Sequence, residues 1–336
     1  MRALLCRQWC EFKDLRVEDI PAPELRAGCV RLRVAYAGLG FAISLVVAGK
    51  YQRKPPLPFV PGTEVTGTVI EVAAGVTRVK PGDRVVSILD WGGFAEQAIA
   101  TEDTVYPLPS GLDLASSTHL AISYATAYGA LVWRARLQPG ETLLVHGAAG
   151  GTGLAAVELG KLLQARVIAC ASSEEKRAAA KAHGADLVLP SRDFREAVKV
   201  YTAGRGADVI FDPVGGDVFD ESLRCIAGEG RILTIGFAGG RVPRIPANIL
   251  LVKNIAVLGF NFGTYVGWGL TDERRVHAPR VQAMMAQLFQ WARSGKLRPT
   301  VSHCFELSRF AEAMDVVLAR GSTGKVALKI NEEQNT

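Results

Sequence analysis

A glycine-rich segment between residues 143 and 154 constrains the fold more than any other feature of this chain. An apolar, strand-like run leads into it, and Gly-Ala-Ala-Gly-Gly-Thr-Gly follows at 147–153. The spacing Ala148-x-Gly150-x-x-Gly153 is a variant, with Ala in the first place, of the fingerprint in which a strand turns directly into a helix. Such a turn lets backbone approach a diphosphate, which the N–H groups and dipole of the helix N-terminus stabilise. The segment predicts a dinucleotide cradle formed by Ala149, Gly150, Gly151, Thr152 and Gly153.

The residues around this cradle alternate between short apolar runs and helical patterns. Such alternation predicts a parallel sheet covered by helices on both faces. The predicted helices include Thr152–Leu163 and Ser173–His183. The predicted strands are Thr142–His146, Arg166–Ala171, Leu187–Leu189, Val209–Phe211, Arg231–Ile235 and Ile255–Leu258.

The first third of the chain has a different pattern. Short β-branched runs alternate with Gly and Pro turns, which is typical of a small β-barrel or sandwich. The predicted strands are Val30–Val34, Val65–Val72, Arg84–Ile88 and Phe94–Ile99, and an Ala-rich helical stretch follows at 115–136. A length of 336 residues suits two domains. A helix at Val281–Ser294 and a final strand before Ile330 are expected to return to the first domain.

Composition excludes several classes of protein. No apolar run approaches the roughly 18 residues of a membrane span, and the first residues lack the apolar core of a signal peptide. Lys and Arg total 39 against 33 Asp and Glu, but the excess is dispersed, which disfavours a nucleic-acid partner. The six cysteines contain no Cys-x-x-Cys pair, so we expect reduced thiols in a cytoplasmic protein. The five histidines and six cysteines show no zinc-ligand spacing, so no metal is predicted.

The choice between NADH and NADPH depends on the end of the second strand of the sheet. An NAD site places a carboxylate there, about 20 residues after the glycines. Ser172 occupies that place, and Lys176 and Arg177 follow within a turn. Small hydroxyls with a nearby cation suit a 2′-phosphate, so the sequence favours NADP(H) over NAD(H). The alternative is that Ser172 and Glu175 form a helix capping box and bind no ligand.

Several motifs resemble the zinc-free quinone oxidoreductase (zeta-crystallin) branch of the medium-chain dehydrogenase/reductase superfamily. They extend over nearly the whole chain and include the glycine turn. In zinc-dependent relatives a Gly-His-Glu motif supplies a metal ligand, whereas this chain has Thr63 in place of the His, and it has Gly38-Leu-Gly40 where a ligating Cys would stand. The other motifs are Gly49-Lys-Tyr51, 55–64, Gly82-Asp-Arg-Val85, 92–96, Ala125-Thr-Ala-Tyr128, 211–216 and Gly321-Ser-Thr-Gly-Lys-Val326.

The resemblance implies a two-domain α/β subunit. A GroES-like β-barrel catalytic domain would comprise residues 1–122 and 262–336, and a Rossmann domain with a doubly wound parallel sheet would comprise 123–261. The resemblance also implies a homodimer formed through the edge strand Ile255–Phe260. The cofactor-binding residues it implies, besides the cradle, are Tyr51, Thr126, Gly236, Phe237, Ala238, Phe260, Asn261, Gly324 and Lys325.

Two departures from the family pattern concern the binding sites. Many relatives have an Asn and an Asp after the position of Gly38, whereas this chain has Phe41, Ala42 and Ile43. We therefore expect a less polar substrate site. Relatives that bind a 2′-phosphate often carry a Tyr after the third strand of the sheet, where this chain has Pro190-Ser191-Arg192. Arg192 is a candidate electrostatic substitute.

The resemblance implies NADPH-dependent reduction of a quinone or an α,β-unsaturated carbonyl compound, which makes the chain a quinone oxidoreductase or enone reductase. Negative charge develops on the substrate oxygen after hydride transfer and needs a hydrogen-bond donor. Tyr51 is the candidate catalytic residue, and a proton from solvent is the alternative. Two other functions stay open: an NADPH-binding structural or regulatory protein with little catalysis, and a zinc alcohol dehydrogenase, which the ligand spacing opposes.

Overall fold

A computed structural model describes residues 1–333. Residues 334–336 lie outside the described part of the chain. Within them, no helix is both long and apolar enough to cross a membrane. The strands are β1 Arg2–Leu5, β2 Arg16–Asp19, β3 Cys29–Leu39, β4 Glu64–Val72, β5 Arg84–Ile88, β6 Gln97–Thr101, β7 Val105–Pro107, β8 Thr142–Val145, β9 Arg166–Ala171, β10 Leu187–Pro190, β11 Ala207–Asp212, β12 Ile226–Thr234, β13 Ala256–Gly259, β14 Val301–Glu306 and β15 Lys325–Lys329.

The helices differ widely in length. Wider π-helical turns at Leu120–Tyr124 and Gly129–Arg134 extend the short helices Leu114–His119 and Ala125–Tyr128, which confirms the helical stretch expected there. The α-helices are α1 Phe41–Val47, α2 Leu114–His119, α3 Ala125–Tyr128, α4 Gly151–Leu162, α5 Glu174–Ala182, α6 Arg195–Tyr201, α7 Asp217–Cys225, α8 Ala247–Lys253, α9 Arg274–Arg293 and α10 Phe310–Leu318. Short 3₁₀ turns lie at Phe12–Asp14, Glu102–Thr104, Phe262–Val266 and Leu307–Arg309.

The chain forms two compact units. The first unit comprises Met1–Ile122, Gly263–Gly295 and the chain from Pro299 onward. The second unit comprises Ser123–Phe262 and Lys296–Arg298. Each has its own cluster of buried apolar side chains. The fold class expected from the sequence is confirmed: a GroES-like β-domain and a Rossmann-like parallel sheet.

The second unit is built on a six-stranded sheet with the order β10-β9-β8-β11-β12-β13. All its strand pairs are parallel. Its central strands β8 and β11 are buried along their whole length, as expected for strands covered on both faces. The order reverses between β8 and β11, because successive strands are added first on one side of β8 and then on the other. A reversal of this kind opens a crevice at the carboxyl ends of the strands.

The first unit is organised around the long strand β3. One side of β3 pairs with β4. On the other side, its first half pairs with β6 and its second half with the C-terminal strand β15. The pairing of β15 with β3 places the C-terminal strand in the first unit. Side chains that alternate along β3, among them Leu32 and Val34, contribute to the core with Val65 and Phe94.

Several predicted elements have different bounds in the structure, and two of them show the reasons. The strand expected at Phe94–Ile99 is displaced and runs from Gln97 to Thr101. Phe94 instead hydrogen-bonds the first strand, since its carbonyl accepts from the Leu4 N–H at 2.8 Å. The helix expected from Val281 begins seven residues earlier, at Arg274, and includes Pro279. Proline usually marks a helix boundary, but Pro279 is the sixth residue of α9, where it removes one intrahelical hydrogen bond, the one to the Arg275 carbonyl.

Candidate functional site

The glycine turn links β8 to α4 in the second unit. Gly147 adopts a left-handed φ of 57°, which turns the chain away from the strand. The turn is closed by a hydrogen bond of 2.9 Å from the Gly150 N–H to the Gly147 carbonyl. It is also anchored to β9, because the Ala148 N–H donates to the Cys170 carbonyl at 3.0 Å. The predicted strand-turn-helix geometry is therefore present.

The two later glycines of the turn meet different surroundings. A Cβ on Gly153 would collide with the carbonyl of Gly147, so this position needs glycine for the close packing of the helix on the turn. A Cβ on Gly150 would have only the Gly147 oxygen nearby, at 3.4 Å, and would otherwise project into open space. Gly150 is the N-cap of α4 and, as a glycine, has no side chain that could cap the helix. The exposed backbone at the helix N-terminus fits the diphosphate of a dinucleotide.

Most of the other cofactor-binding residues expected in the second unit follow the carboxyl ends of neighbouring strands. Because the strands are parallel, these ends lie along one edge of the sheet, next to the glycine turn. Ser172 follows β9, and Arg192 lies shortly after β10. The remaining residues are Gly236, Phe237 and Ala238 after β12, and Phe260 and Asn261 after β13.

These residues differ in how accessible they are. Phe237 is 42% exposed, whereas Phe260 is buried. The Phe260 ring packs where a side chain at Gly129 would lie, which makes it a packing residue of this unit. Thr126 lies in α3 and is also mostly buried. The backbone of Ala238 donates to the Pro213 carbonyl at 3.0 Å, so the loop after β12 is joined to the loop after β11.

The capping box considered for Ser172 and Glu175 is wrong. The N-cap of α5 is Ser173, whose hydroxyl accepts from the Lys176 N–H at 3.3 Å. Helix α5 begins one residue later than that alternative required, so Ser172 lies outside the cap with its side chain exposed. The capping requirement therefore does not account for a serine at the end of β9.

Basic side chains lie close to the end of β9. The Arg177 guanidinium donates to the carbonyl of Ala171, the last residue of the strand, at 3.4 Å. Lys176 is half-buried in the first turn of α5, and Arg192 is exposed after β10. Glu174 and Glu175 share that first turn and are exposed. The edge of the sheet thus combines an exposed hydroxyl with positive side chains, which is the chemistry that a 2′-phosphate requires.

Tyr124 and His146 are buried and have structural roles in the second unit. The Tyr124 hydroxyl donates to the buried Glu158 carboxylate at 2.6 Å. Burial opposes ionisation of Glu158, but hydrogen bonds from His183, Tyr124 and the Arg298 backbone hold its pKa below the usual range. His146 pairs with Ser222 at 2.8 Å, and burial lowers the pKa of its imidazole to about 3.

Gly324 and Lys325 belong to the first unit. Lys325 is buried and pairs with the carboxylate of Glu64, which is buried as well. The two residues begin β15 and β4, the neighbours of β3 on either side. Between them lies Gly38, where a Cβ would come within 2.6 Å of Glu64 Cδ and 2.7 Å of Lys325 Cε. The absence of a side chain at Gly38 therefore makes room for this ion pair.

Tyr51 lines a pocket of about 460 Å³ in the first unit. Most of its walls are apolar, and the sequence departures Ala42 and Ile43 are among them. Burial raises the pKa of the Tyr51 phenol, whereas a hydrogen bond with Gln52 and the charge of Arg53 act in the opposite direction. A phenol of this kind stays protonated at neutral pH and can donate a hydrogen bond.

Sequence reasoning missed the polar end of this pocket. Arg53, Asp90, Trp91 and Trp268 all line it, and Arg53 donates to the Asp90 carboxylate at 2.6 Å. The position of Arg53 two residues after Tyr51 was the only local signal, because its partners are distant in the chain. Across residues 1–333, no group of three or more His, Cys, Asp or Glu side chains is arranged to hold a metal ion.

Comparisons with known proteins agree with this architecture. Two family models match the chain: the alcohol dehydrogenase GroES-like domain over residues 26–110 and zinc-binding dehydrogenase over residues 151–275. A quinone oxidoreductase-like protein 2 homolog from Nematostella vectensis is 40% identical, over 98% of this chain and 89% of that protein. The quinone oxidoreductase of Thermus thermophilus, solved alone and in complex with NADPH, is 32% identical with a TM-score of 0.81, over 98% of this chain and 100% of that one. A mycobacterial protein solved in complex with NADPH is 28% identical with a TM-score of 0.89, with the same coverage.

Proposed function

Because the chain belongs to the quinone oxidoreductase branch of the medium-chain dehydrogenase/reductase superfamily, we propose that it is an NADPH-dependent reductase of quinones or α,β-unsaturated carbonyl compounds. The observation that carries the proposal is the glycine turn at the reversal point of the parallel sheet. There, Gly150 leaves open space over the N-terminus of α4. The NADPH complexes of two structural relatives support the same cofactor for this chain.

Each part of the cofactor has residues to bind it in the second unit. The backbone at Gly150–Gly153 would bind the diphosphate. Ser172, Lys176 and Arg177 would bind the 2′-phosphate, and Arg192 would add positive charge nearby. A bound reduced nicotinamide would supply a hydride, so the chain itself needs no redox-active side chain.

Tyr51 would act on the substrate. The pocket that it lines would exclude water from an apolar ring, and its phenol O–H would donate to the oxygen on which negative charge develops. The phenol is protonated at neutral pH, since burial raises its pKa. Tyr51 would then stabilise the anion as a hydrogen-bond donor, and the proton that neutralises the product would come from water.

A mixing experiment tests the proposed function. The purified protein is mixed with NADPH and a panel of quinones, enones and unsaturated acids, and the absorbance of the reduced nicotinamide is followed. Turnover of quinones or enones is expected, with Tyr51→Phe slower than the wild type. Tight NADPH binding without turnover of any compound would overturn the reductase and leave a cofactor-binding structural or regulatory protein.

A homodimer is proposed as well. β13 is the edge strand of the parallel sheet, and the adjacent helix α8 exposes Leu251 and Val252 by 78% and 80%. A second copy that pairs with β13 would cover these apolar side chains. Analytical ultracentrifugation should show a dimer for the wild type and dissociation for Leu251→Glu. A monomeric wild type at micromolar concentration would contradict the proposal.

A further inference from the structure

Arg53 is held in a defined position at the polar end of the Tyr51 pocket. Its guanidinium carbon lies 4.9 Å from the ring centre of Trp91 and 5.9 Å from that of Trp268. It donates to the Asp90 carboxylate at 2.6 Å and to the Asp90 carbonyl at 3.3 Å. Cation–π contacts and an ion pair together restrict the rotamers of a long side chain. The guanidinium is therefore pre-organised.

Asp90 does not depend on Arg53 for its position. The mostly buried Arg274 donates to both oxygens of the Asp90 carboxylate, at 2.9 and 3.1 Å. Arg274 also pairs with Asp272 at 2.8 Å. The two arginines, Arg53 and Arg274, and the two carboxylates of Asp90 and Asp272 form a network without net charge. The network therefore does not favour an anionic ligand over a neutral one. A neutral oxygen acceptor suits this end of the pocket better.

Arg53 has further N–H groups that can donate to such an acceptor. A guanidinium carries five N–H groups, and two of the hydrogen bonds that Arg53 can form go to Asp90. The other N–H groups have no acceptor among residues 1–333, and about a quarter of the side chain is exposed, 27%. The lining of the pocket thus includes the Tyr51 phenol and the Arg53 guanidinium as donors, and walls of Ile43, Phe59 and the indole rings.

We propose that Arg53 is a specificity-determining residue which donates to a second carbonyl oxygen, so that the pocket favours flat conjugated dicarbonyls, the quinones, over enones with one carbonyl. This inference rests on the proposed function. A quinone takes up one hydride, which brings two electrons, and one proton from water, and becomes a hydroquinone. Hydride addition to a ring carbon leaves the negative charge on one oxygen, and the other oxygen stays a carbonyl acceptor until the proton arrives and the product tautomerises to the hydroquinone. Tyr51 would stabilise the charged oxygen and Arg53 would donate to the other, whereas an enone offers an oxygen to only one of them.

The test compares two substrates and one substitution. Arg53→Met removes the donors but keeps a side chain of similar length, and Asp90 retains Arg274. Loss of a charge-assisted hydrogen bond should lower kcat/KM for 1,4-naphthoquinone about 10- to 100-fold. For cyclohex-2-enone, kcat/KM should fall less than about 3-fold, because that substrate does not use Arg53. A fall of equal size for both substrates, or no fall, would overturn the inference while the proposed function stands.

Arg309→Met is the matched control. Arg309 is also paired with a carboxylate, Glu312 at 2.7 Å, and lies 5.1 Å from the ring of Phe305, but it does not line the pocket. Both substrates should be reduced by this variant at the wild-type rate. A loss for naphthoquinone similar to that of Arg53→Met would reveal a general effect of removing an arginine and would contradict a specific role.

A binding measurement separates this inference from the reductase proposal. 1,4-Naphthoquinone is titrated into the protein without NADPH, and indole fluorescence reports binding near Trp91 and Trp268. The dissociation constant should rise about 10-fold or more for Arg53→Met. If the wild type reduces neither substrate, the reductase proposal fails, and unchanged naphthoquinone binding in Arg53→Met would then also refute the role of Arg53.

Discussion

The substitution Gly150→Ala should weaken NADPH binding while it leaves the free energy of unfolding nearly unchanged. The backbone of Gly150 has φ −76° and ψ 171°, a region that alanine adopts freely. The added methyl group would touch only the Gly147 oxygen, at an ordinary 3.4 Å. Alanine is a poorer N-cap than glycine, but it also restricts the unfolded chain, and each effect is below about 1 kcal/mol. The two effects oppose each other, so we expect the free energy of unfolding to change by less than about 0.5 kcal/mol.

The effect on the ligand should be much larger. The methyl group occupies the open space over the first turn of α4, so a diphosphate can no longer approach the backbone closely. Loss of one hydrogen bond to a charged group costs about 1.5–3 kcal/mol. This cost corresponds to a rise of about 10- to 100-fold in the dissociation constant of NADPH. Isothermal titration with NADPH measures the change directly.

Gly153→Ala serves as the comparison. Its methyl group would collide with the Gly147 carbonyl, which is backbone and cannot rotate away. Overpacking of this kind costs about 1–3 kcal/mol, so this variant should have a lower melting temperature than Gly150→Ala. NADPH affinity at the wild-type level in a stable Gly150→Ala variant would refute the assignment of the diphosphate to this turn.

Three further predictions concern the cofactor preference and the stability of the two units. Lys176→Ala and Arg177→Ala should each raise the dissociation constant of NADPH about 10- to 100-fold and that of NADH less than about 3-fold. For either variant, an equal rise for NADPH and NADH would exclude that residue from the 2′-phosphate site. Lys325→Met leaves the buried Glu64 carboxylate without its partner and should lower the free energy of unfolding by about 3–5 kcal/mol in denaturant titrations, whereas adding Glu64→Gln should recover part of the loss. Burial lowers the pKa of His146 from 6.5 to about 3, so between these values only the unfolded chain gains the proton, and stability falls as the pH falls. Between pH 6.5 and 4.5 this effect should amount to about 2–3 kcal/mol, and His146→Asn should abolish it in the same titrations.

Local patterns were sufficient to predict the parallel sheet. The strand at Arg166–Ala171 has the predicted bounds, and α4 and α5 differ from the predicted helices by one residue at each end. These elements carry their own signals, such as buried apolar runs, a glycine turn and a serine before a helix. Two expectations failed where a local rule has exceptions. The start of α9 was placed too late, because Pro279 lies inside the helix. The alternative that Ser172 caps α5 was wrong, because Ser173 is the N-cap.

The fold class, the glycine turn and the candidate residues that follow each strand could therefore be predicted from local patterns, because these features depend on neighbours within a few turns of chain. Which charged side chains pair with one another depends instead on contacts between distant parts of the chain. Lys325 and Glu64 are 261 residues apart, and Arg274 and Asp90 are 184 apart. Each pair forms because strands and helices distant in the chain pack side by side in the first unit. The partners of Arg53, which form the polar end of the Tyr51 pocket, also come from distant parts of the chain.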